Sequence, residues 1–380
     1  MFASSLSGDQ GVLWELNARA LFAEIARRTP IGRPELVAAT GLSRTTVTQT
    51  LARLVTAGLV CDAGLDHARR GPAATLYEVA PGAAAGAAVD ITRHKITTTM
   101  HDFAGTEIAR AETDEADPQG VPATVVATIR AAAEIAGRSP DAVVVAAPAV
   151  IAPDGRTIAQ LPGYLTPGTG LHDHIADELD CAVTIDNDLA LLARAKLAVR
   201  SGTFAVLSLR DGLGAGLVVD GRVHRGGRGL AGEVAYVPQP GVAIGSPALG
   251  EEVIAQLARA ADAPETLPDL LAAADAGHRG ADRVLDEIAR RLAYAAGSLT
   301  LMLDPDAVVL ADHAALGSLP ERVMSVARRE AGPLRIPIET STLGADGPLQ
   351  GAAAQLHDAL VDLVFTRLLD DGPAPRRSTT

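Results

Sequence analysis

Six polar residues between positions 43 and 49 have the types and spacing of side chains that read DNA. Apolar residues recur there at the spacing of one helical face, and Ser43 precedes them in the position of an N-cap. These apolar positions are Val47, Leu51, Leu54 and Val55. The early turns of the helix would expose Arg44, Thr45, Thr46, Thr48 and Gln49. Because the first residues of a helix in the major groove meet base edges, we predict that this row and Ser43 bind DNA.

Two shorter helical patterns precede this helix and would position it. The first helix has a predicted apolar face at Leu13, Leu16, Ala20, Leu21 and Ile25. The second begins at Pro34, where a missing amide hydrogen is tolerated, and stops at Gly41. The third, which would read DNA, ends before Gly58. We interpret Arg19, Arg27 and Arg28 as solvated charges on the first helix.

A predicted wing follows the three helices. Two β-rich runs, Leu59–Asp62 and Thr75–Val79, flank a loop that contains Arg69 and Arg70. These arginines would either enter a narrow minor groove or pair with phosphates, and the sequence leaves both open. Three short helices with surface arginines also occur in proteins that do not bind DNA, so it is the combination with a basic wing that favours a winged helix-turn-helix over residues 1–80.

Charge is distributed unevenly along the 380 residues. The whole chain carries a net charge of −13, whereas residues 16–72 carry eight arginines against four acidic residues. A small basic module thus precedes a strongly acidic remainder, which argues against indiscriminate binding to nucleic acid. The two cysteines, Cys61 and Cys181, belong to no zinc-like cluster and argue against a disulfide framework.

The expected location is the cytoplasm. No segment approaches the length of about 18 apolar residues that a membrane helix needs, and the first ten residues lack the pattern of a secretory signal. We therefore expect no membrane partner. The segment 371–380, with its prolines and basic residues, is expected to be disordered.

From residue 86 onward the pattern becomes that of an α/β protein. Three strand-like runs, Gly86–Ile91, Lys95–Asp102 and Thr106–Glu112, predict an antiparallel meander. An alanine-rich helix near 123–136 and a buried strand at Ala142–Ala147 follow, and the alternation continues. His94 and His101 are interpreted as ordinary strand residues.

Several motifs occur along this region in a recognisable order. They are Val145-Ala146-Ala147-Pro148, Leu161-Pro162-Gly163-Tyr164, Asp186-Asn187-Asp188, Gly212-Leu213-Gly214-Ala215-Gly216, Ala231-Gly232-Glu233, Asp304-Pro305 and Gly351-Ala352-Ala353. In order and spacing the chain resembles the ROK family of repressors and sugar kinases. The resemblance implies a two-lobed, actin-like ATPase fold over residues 81–370, with lobes at roughly 81–195 plus helix 348–366, and 196–347. It also implies that the repressor branch carries an N-terminal winged helix.

The positions that hold nucleotide in kinases of this family are altered here. Where the kinases have Asp-x-Gly-Gly-Thr-Lys, this chain has Asp90-Ile91-Thr92-Arg93-His94-Lys95. Arg210-Asp211 replaces a usual Gly-Thr, and Ala311-Asp312-His313 replaces paired glycines. Side chains now occupy room that backbone amides need to approach phosphate. We predict no ATP binding, no cofactor and no kinase activity.

The residues that correspond to the family's sugar site are partly kept. The resemblance assigns sugar contacts to Asn187, Asp188, Glu233 and Glu251, with Asp188 in the place of the kinase base and Tyr236 in the place of a histidine. Asn187 could instead cap the following helix, and Asp188 could favour its dipole. Val242, Ile244 and Leu249 replace zinc cysteines, so we predict no metal and a loop that packs as a hydrophobic plug.

The sequence therefore predicts a transcriptional regulator, most simply a repressor of a carbohydrate-related operon. It would bind a double-stranded DNA operator as a homodimer or homotetramer and respond to a sugar or sugar-phosphate effector. Two alternatives remain: a regulator that has lost sugar binding and responds to another ligand or partner, and an active sugar kinase with an accessory DNA-binding domain.

Overall fold

The computed structural model describes residues 3–66, 74–114, 120–159, 165–210, 212–311, 316–341 and 343–370. Its N-terminal part is a three-helix unit with a small antiparallel sheet of order β1-β3-β2. These elements are α1 (Ala3–Arg27), β1 (Ile31–Gly32), α2 (Arg33–Thr40), α3 (Arg44–Thr56), β2 (Val60–Asp66) and β3 (Ala74–Val79).

Local signals in the sequence account for the two short helices. Pro34 stands in the first turn of α2, and Gly41 ends that helix in the left-handed conformation, with a φ of 68°. Ser43 caps α3, because its Oγ accepts a hydrogen bond of 3.1 Å from the amide of Thr46. Both predicted helices are confirmed. The strand β1, which pairs Ile31 with Tyr77, is too short to leave a periodic pattern and was not expected.

The predicted apolar face of α1 is wrong in its N-terminal half. Leu13 and Leu16 are 60% and 62% exposed, and Ala20 is exposed too. Among residues 11–27 of α1, those that the helix buries are Ala18, Leu21, Phe22 and Ile25. Leu13 instead lines an open groove with Trp14 of α1 and Arg53 of α3. Val55 of α3, predicted to face inward, is also largely exposed. Periodicity identifies a face, but it does not show how far along the helix the packing partner extends.

The first lobe is built on a five-stranded sheet of order β6-β5-β4-β7-β8. Its strands are β4 (Ala85–Ile91), β5 (Ile96–Asp102), β6 (Glu107–Thr113), β7 (Ala142–Ala147) and β8 (Ala182–Asn187). The first three form the predicted antiparallel meander, and β7 and β8 add to it in parallel. The helices α4 (Val121–Ala136) and α5 (Gly170–Leu179) pack on one face of this sheet.

The second lobe has its own five-stranded sheet, of order β11-β10-β9-β12-β13. Its strands are β9 (Phe204–Leu209), β10 (Leu213–Val219), β11 (Arg222–His224), β12 (Ala307–Leu310) and β13 (Ile338–Thr340). One face packs against helices that build the largest apolar core. These are α7 (Glu251–Ala260), α8 (Leu267–Asp275), α9 (Arg279–Leu303) and α10 (Leu319–Glu330).

Two helices connect the lobes. The helix α6 (Asp188–Leu197) packs on the second sheet through Leu189 and Ala193. The helix α11 (Gly347–Asp370) packs on both α6 and the first sheet. The pattern of strands and helices confirms the α/β class.

Glycines allow α6 to be approached closely from both sides. A β-carbon at Gly216 of β10 would overlap the carbonyl oxygen of Leu189, and one at Gly351 of α11 would overlap that of Leu191. Only a residue without a side chain fits at either position. Glycines of two of the motifs on which the family resemblance was based thus have a packing role here.

The N-terminal unit is docked on the first lobe through aromatic side chains. Phe22 of α1 lies 5.3 Å from Phe103 and 5.8 Å from Phe365 of α11, measured between ring centroids. Arg19 donates a hydrogen bond of 2.6 Å to Asp362 and lies over the ring of Phe365. The interpretation of Arg19 as a solvated charge is therefore wrong, because it belongs to this contact. Arg27 and Arg28 remain exposed and pair with Glu24 on their own helix.

Candidate DNA interface and effector cleft

The helix α3 exposes most of the row that was predicted to read DNA. Arg44, Thr45, Thr48 and Gln49 are exposed, whereas Thr46 is half-buried. The Oγ1 of Thr48 donates to the carbonyl oxygen of Arg44, so its hydroxyl is held against the helix. Ser43 is exposed, but its side chain is engaged as the cap of the helix. The predicted wing residues Arg69 and Arg70 lie outside the described residues.

Two other arginines of the basic module are held by aromatic rings. The Nη2 of Arg33 donates a hydrogen bond of 2.5 Å to the hydroxyl of Tyr77. The guanidinium of Arg53 lies 3.7 Å from the centroid of the Trp14 ring. Such stacking fixes the direction of each side chain and leaves it charged. These contacts fix the positions of two arginine side chains in the N-terminal unit.

Between the lobes, two aspartates stand at the carboxyl ends of parallel strands. Asp90 on β4 is in register with Ala146 on β7, which is in register with Asp186 on β8. Residues in register on parallel strands face the same side, and this is the side that carries α11. The row therefore presents two carboxylates toward the second lobe.

Asp90 is paired with an arginine of the second lobe. The Nη2 and Nη1 of Arg210 donate hydrogen bonds of 2.6 and 3.2 Å to the two carboxylate oxygens. The side chain of Asp90 is only 6% exposed and that of Arg210 is 21% exposed. Burial raises the pKa of Asp90, and Arg210 opposes this effect by stabilising the charged form. Arg210 thus supplies the counter-charge of Asp90, and each of the two residues stands in a segment that the resemblance compares with a nucleotide-binding motif.

Asp186 is paired in the same way with Arg225, which follows β11. The Nε of Arg225 lies 2.9 and 3.1 Å from the two oxygens of Asp186, and its Nη2 also bonds to this carboxylate. The same Nη2 lies 3.4 Å from the Oε1 of Gln355 on α11. Sequence reasoning missed both members of this pair, because 39 residues separate them and neither stands in a pattern that indicates the other.

Asn187 has a clear local role. Its Oδ1 accepts hydrogen bonds from the amides of Leu189 and Ala190, and its Nδ2 donates to the carbonyl oxygen of Ala149. It is the N-cap of α6, as the alternative interpretation had it. Asp188 is the first residue of that helix; its side chain is buried, and its Oδ1 accepts from the amide of Leu189.

Glu233 directly follows a residue, Gly232, that is hydrogen-bonded to the start of β10. Gly214 of β10 is in close approach to Leu189, and the amide of Ala215 donates to the carbonyl oxygen of Gly232. The residues next in sequence to these contacts are Asp188 and Glu233. Burial raises the pKa of Glu233. Tyr236 belongs to a 3₁₀ turn with Val234 and packs against the core of the second lobe.

Glu251 stands apart from these carboxylates, at the first position of α7. Its Oε1 lies 3.2 Å from the Nε2 of His94, and both side chains are largely exposed. His94 occupies the turn between β4 and β5, so its interpretation as a strand residue is wrong. The contact joins the first lobe to the second.

The loop 238–250 corresponds to the zinc loop of the resemblance and is anchored by protein groups. The Nη1 of Arg291 on α9 donates a hydrogen bond of 2.7 Å to the carbonyl oxygen of Ala248. The Nε2 of Gln239 donates a hydrogen bond to the carbonyl oxygen of Arg291. Leu249 is buried, but Ile244 is 89% exposed, so the predicted hydrophobic plug is wrong for Ile244. Sequence reasoning missed Arg291 because it lies more than 40 residues away on another element.

Metal ligation and membrane insertion have no support in the described ranges. Nowhere in them do three or more His, Cys, Asp or Glu side chains gather in an arrangement that could hold a metal ion. No helix there is long and apolar enough to cross a membrane.

Curated relatives match part of the chain. The bifunctional enzyme NanE/NanK of Brucella melitensis is 28% identical over 220 residues, which cover 54% of this chain and 42% of the relative. A glucokinase of Halalkalibacterium halodurans is 27% identical over 192 residues, which cover 39% of this chain and 58% of the relative. The chain thus spans about half the length of the curated relatives that it matches.

Solved structures share the fold to different extents. A ROK family transcriptional regulator, described as a homologue of the Escherichia coli MLC protein, is similar over 95% of this chain and 100% of its own, with a TM-score of 0.74 and 21% identity. A ROK hexokinase from Thermus thermophilus is similar over 73% of this chain and 99% of its own, with a TM-score of 0.58 and 23% identity. The likeness to the regulator therefore extends to the N-terminal unit.

The family model described as "ROK family" matches residues 86–359. This range begins in β4 of the first lobe, takes in the whole second sheet and ends in α11, which returns to the first lobe. Because the match includes both lobes and the paired aspartates between them, this chain belongs to the ROK family.

Proposed function

We propose that the protein is a DNA-binding transcriptional regulator, most simply a repressor, whose ROK domain senses a small molecule and has no kinase activity. The observation that carries this proposal is the capped helix α3, which exposes Arg44, Thr45, Thr48 and Gln49 on a unit docked to the ROK domain. A helix with this exposed polar row suits the major groove of double-stranded DNA. The fold likeness to a ROK regulator over 95% of the chain supports it.

The absence of kinase activity is proposed from the surroundings of Asp90. Phosphoryl transfer depends on positioning the nucleotide and stabilising its charge. Here the carboxylate of Asp90 is occupied by Arg210, and Thr92 and Arg93 add side chains to the turn that follows β4. No cofactor and no metal are part of the proposal.

The proposed effector is a sugar or a sugar phosphate of a carbohydrate-related operon. Asp188 and Glu233 supply carboxylate groups near the start of β10, and a hydroxyl-rich ligand is recognised by such groups. Asn187 and Glu251 are weaker candidates as ligands, because the first caps α6 and the second faces His94. Tyr236 packs against the core beside Glu233 and would form the wall of the site.

We further propose that the protein acts in the cytoplasm as a homodimer or homotetramer. Symmetric assemblies place two recognition helices on the two halves of a palindromic operator. An effector that binds one arrangement of the lobes better than the other would shift the spacing of the helices, by no more than its differential affinity.

The direct test is a mobility-shift titration of the full-length protein on DNA from its own upstream region, with and without a panel of sugars and sugar phosphates. We expect specific binding that one effector releases. Absence of specific DNA binding would remove the regulator proposal. A coupled ATP assay on the same sugars, with D188N as the control, would then test the kinase alternative.

A second candidate is a ROK regulator that no longer binds sugar. It is favoured by the commitment of Asn187 to capping α6 and by the packing of Tyr236 on the core. A thermal-shift screen with the same panel separates the two, because a ligand that binds only the folded state raises the melting temperature. Specific operator binding together with no shift by any sugar would favour this candidate.

A further inference from the structure

The two lobes are joined by two arginine–aspartate bridges of the same polarity. In each bridge the aspartate lies on the sheet of the first lobe and the arginine comes from the second. Asp90 and Asp186 occupy the same register two strands apart, so about 10 Å separates their backbones. Two attachment points at this separation restrain both the opening of the lobes and their rotation.

Burial makes these bridges different from ordinary surface ion pairs. The side chains of Asp90 and Asp186 are 6% and 7% exposed, and each carboxylate receives at least two arginine hydrogen bonds. Bidentate arginine–carboxylate pairs are short and have a fixed geometry. Their donors and acceptors stay satisfied only while the lobes keep their present distance. Moving the lobes apart at one bridge would break the hydrogen bonds of that bridge together.

We propose that the Asp90–Arg210 pair is an internal latch, which holds the lobes together at the carboxyl end of β4, the central strand of the first sheet, without any ligand between them. The Asp186–Arg225 pair, held also by Gln355 of α11, is the fixed side about which the lobes move. The contact between His94, in the turn that follows β4, and Glu251 is exposed, so it adds little to the restraint. The resting arrangement of the lobes is therefore set by the chain itself. This inference goes beyond the proposed function, since it holds whatever the effector is.

The distance between the lobes in solution tests the latch directly. Nitroxide labels at A131C on α4 and S325C on α10 report on one exposed site in each lobe. They are placed in the full chain with C61S and C181A and diluted with unlabelled protein, so that pulsed electron spin resonance reads distances within one chain. For the unsubstituted latch we expect one narrow distance distribution. For R210M we expect a shift to longer distances and a broader distribution.

The matched control is R200M. Arg200 has nearly the same exposure as Arg210, at 22%, but its partner Glu339 lies within the second lobe. We expect the wild-type distribution for this control. If R210M folds poorly, D90N with R210M removes both charges and should give the same opened distribution. The proposal is wrong if R210M, or the double variant where R210M does not fold, keeps the narrow distribution. It is also wrong if R200M opens the lobes equally.

Discussion

Removal of the Arg210 side chain would leave the carboxylate of Asp90 without a counter-charge. In R210M the carboxylate of Asp90 loses its counter-charge, and breaking such a buried pair costs about 3 to 5 kcal/mol. We expect the free energy of unfolding in urea at pH 7 to fall by this amount. D90N combined with R210M should recover much of the loss, because no charge is then buried.

The control for this measurement is R200M, which breaks a pair whose acidic partner is half exposed. Exposed pairs contribute about 0 to 1 kcal/mol. A loss in R210M as small as that in R200M would show that Asp90 is not held by its arginine in solution.

Glu233 gives stability a dependence on pH. Burial raises its pKa above the ordinary value of 4.5, so the folded protein holds this proton to higher pH than the unfolded chain does. The free energy of unfolding should therefore decrease as pH rises from about 4.5 through the raised pKa, and then level off. In E233Q this decrease should be absent. Urea titrations at several pH values would contradict the assignment if both proteins gave the same slope.

The sequence showed which single residues depart from the family's motifs, but it did not show that two such residues pair with each other in the structure. Arg210 was recognised as foreign to a phosphate loop, yet its partner Asp90 is 120 residues away, and no local pattern connects them. Asn187 was different, because an asparagine before a helix carries a local signal and the capping alternative could be written down in advance. Interactions within one turn were predictable, whereas interactions between lobes were not.

The helix α3 offers two neighbouring residues with separable roles. Ser43 caps the helix, so S43A should lower stability by about 1 kcal/mol. Arg44 is exposed and makes no capping contact of this kind, so R44A should leave stability unchanged and relax the sequence preference by about 1 to 3 kcal/mol at one position. Mobility-shift titrations on the operator and on operators with single-base changes measure the sequence preference. Unchanged discrimination by R44A would remove this residue from the interface.

The predicted wing should contribute to DNA binding through its charge. Replacing Arg69 and Arg70 together with alanine should weaken the binding. The slope of log affinity against log salt concentration should fall by about 2, since about two phosphate contacts are lost. An unchanged salt dependence would show that these arginines do not contact DNA.

The loop 238–250 should depend on Arg291. Because R291M removes the hydrogen bond to Ala248, we expect faster amide hydrogen exchange throughout this loop. The neighbouring Arg290 makes the same kind of ion pair with Glu287, so R290M is a matched control that should leave loop exchange unchanged. Equal exchange in R291M and in the wild-type protein would show that the loop is held by other contacts.

The sequence predicted the bounds of helices and strands better than it predicted which side of a helix is buried. The meander and the strand Ala142–Ala147 lie within about a residue of their expected bounds, because alternating and buried patterns end at clear turns. The exposed face of α1 at Leu13 and Leu16 was not predictable, since it depends on where α2, α3 and the first lobe stop covering that helix. The anchor of loop 238–250 was missed for a similar reason.

The arrangement of the lobes links the two proposed activities physically. Phe22 of the N-terminal unit packs on Phe103 and Phe365, and both of these belong to the first lobe and its helix α11. Any rotation of that lobe would therefore carry α3 with it, whereas the second lobe holds Glu233. A signal from the cleft to DNA needs only a change in the angle between the lobes, which the latch proposed above would restrain.

Truncation of the chain at residue 80 would separate side chains that pack against one another. Phe103 and Phe365 have no exposed surface in the full chain, and part of their cover is Phe22. An isolated ROK domain would present these rings to water as an apolar patch, and such patches drive self-association. The smallest portion of the chain that keeps this surface covered must include α1.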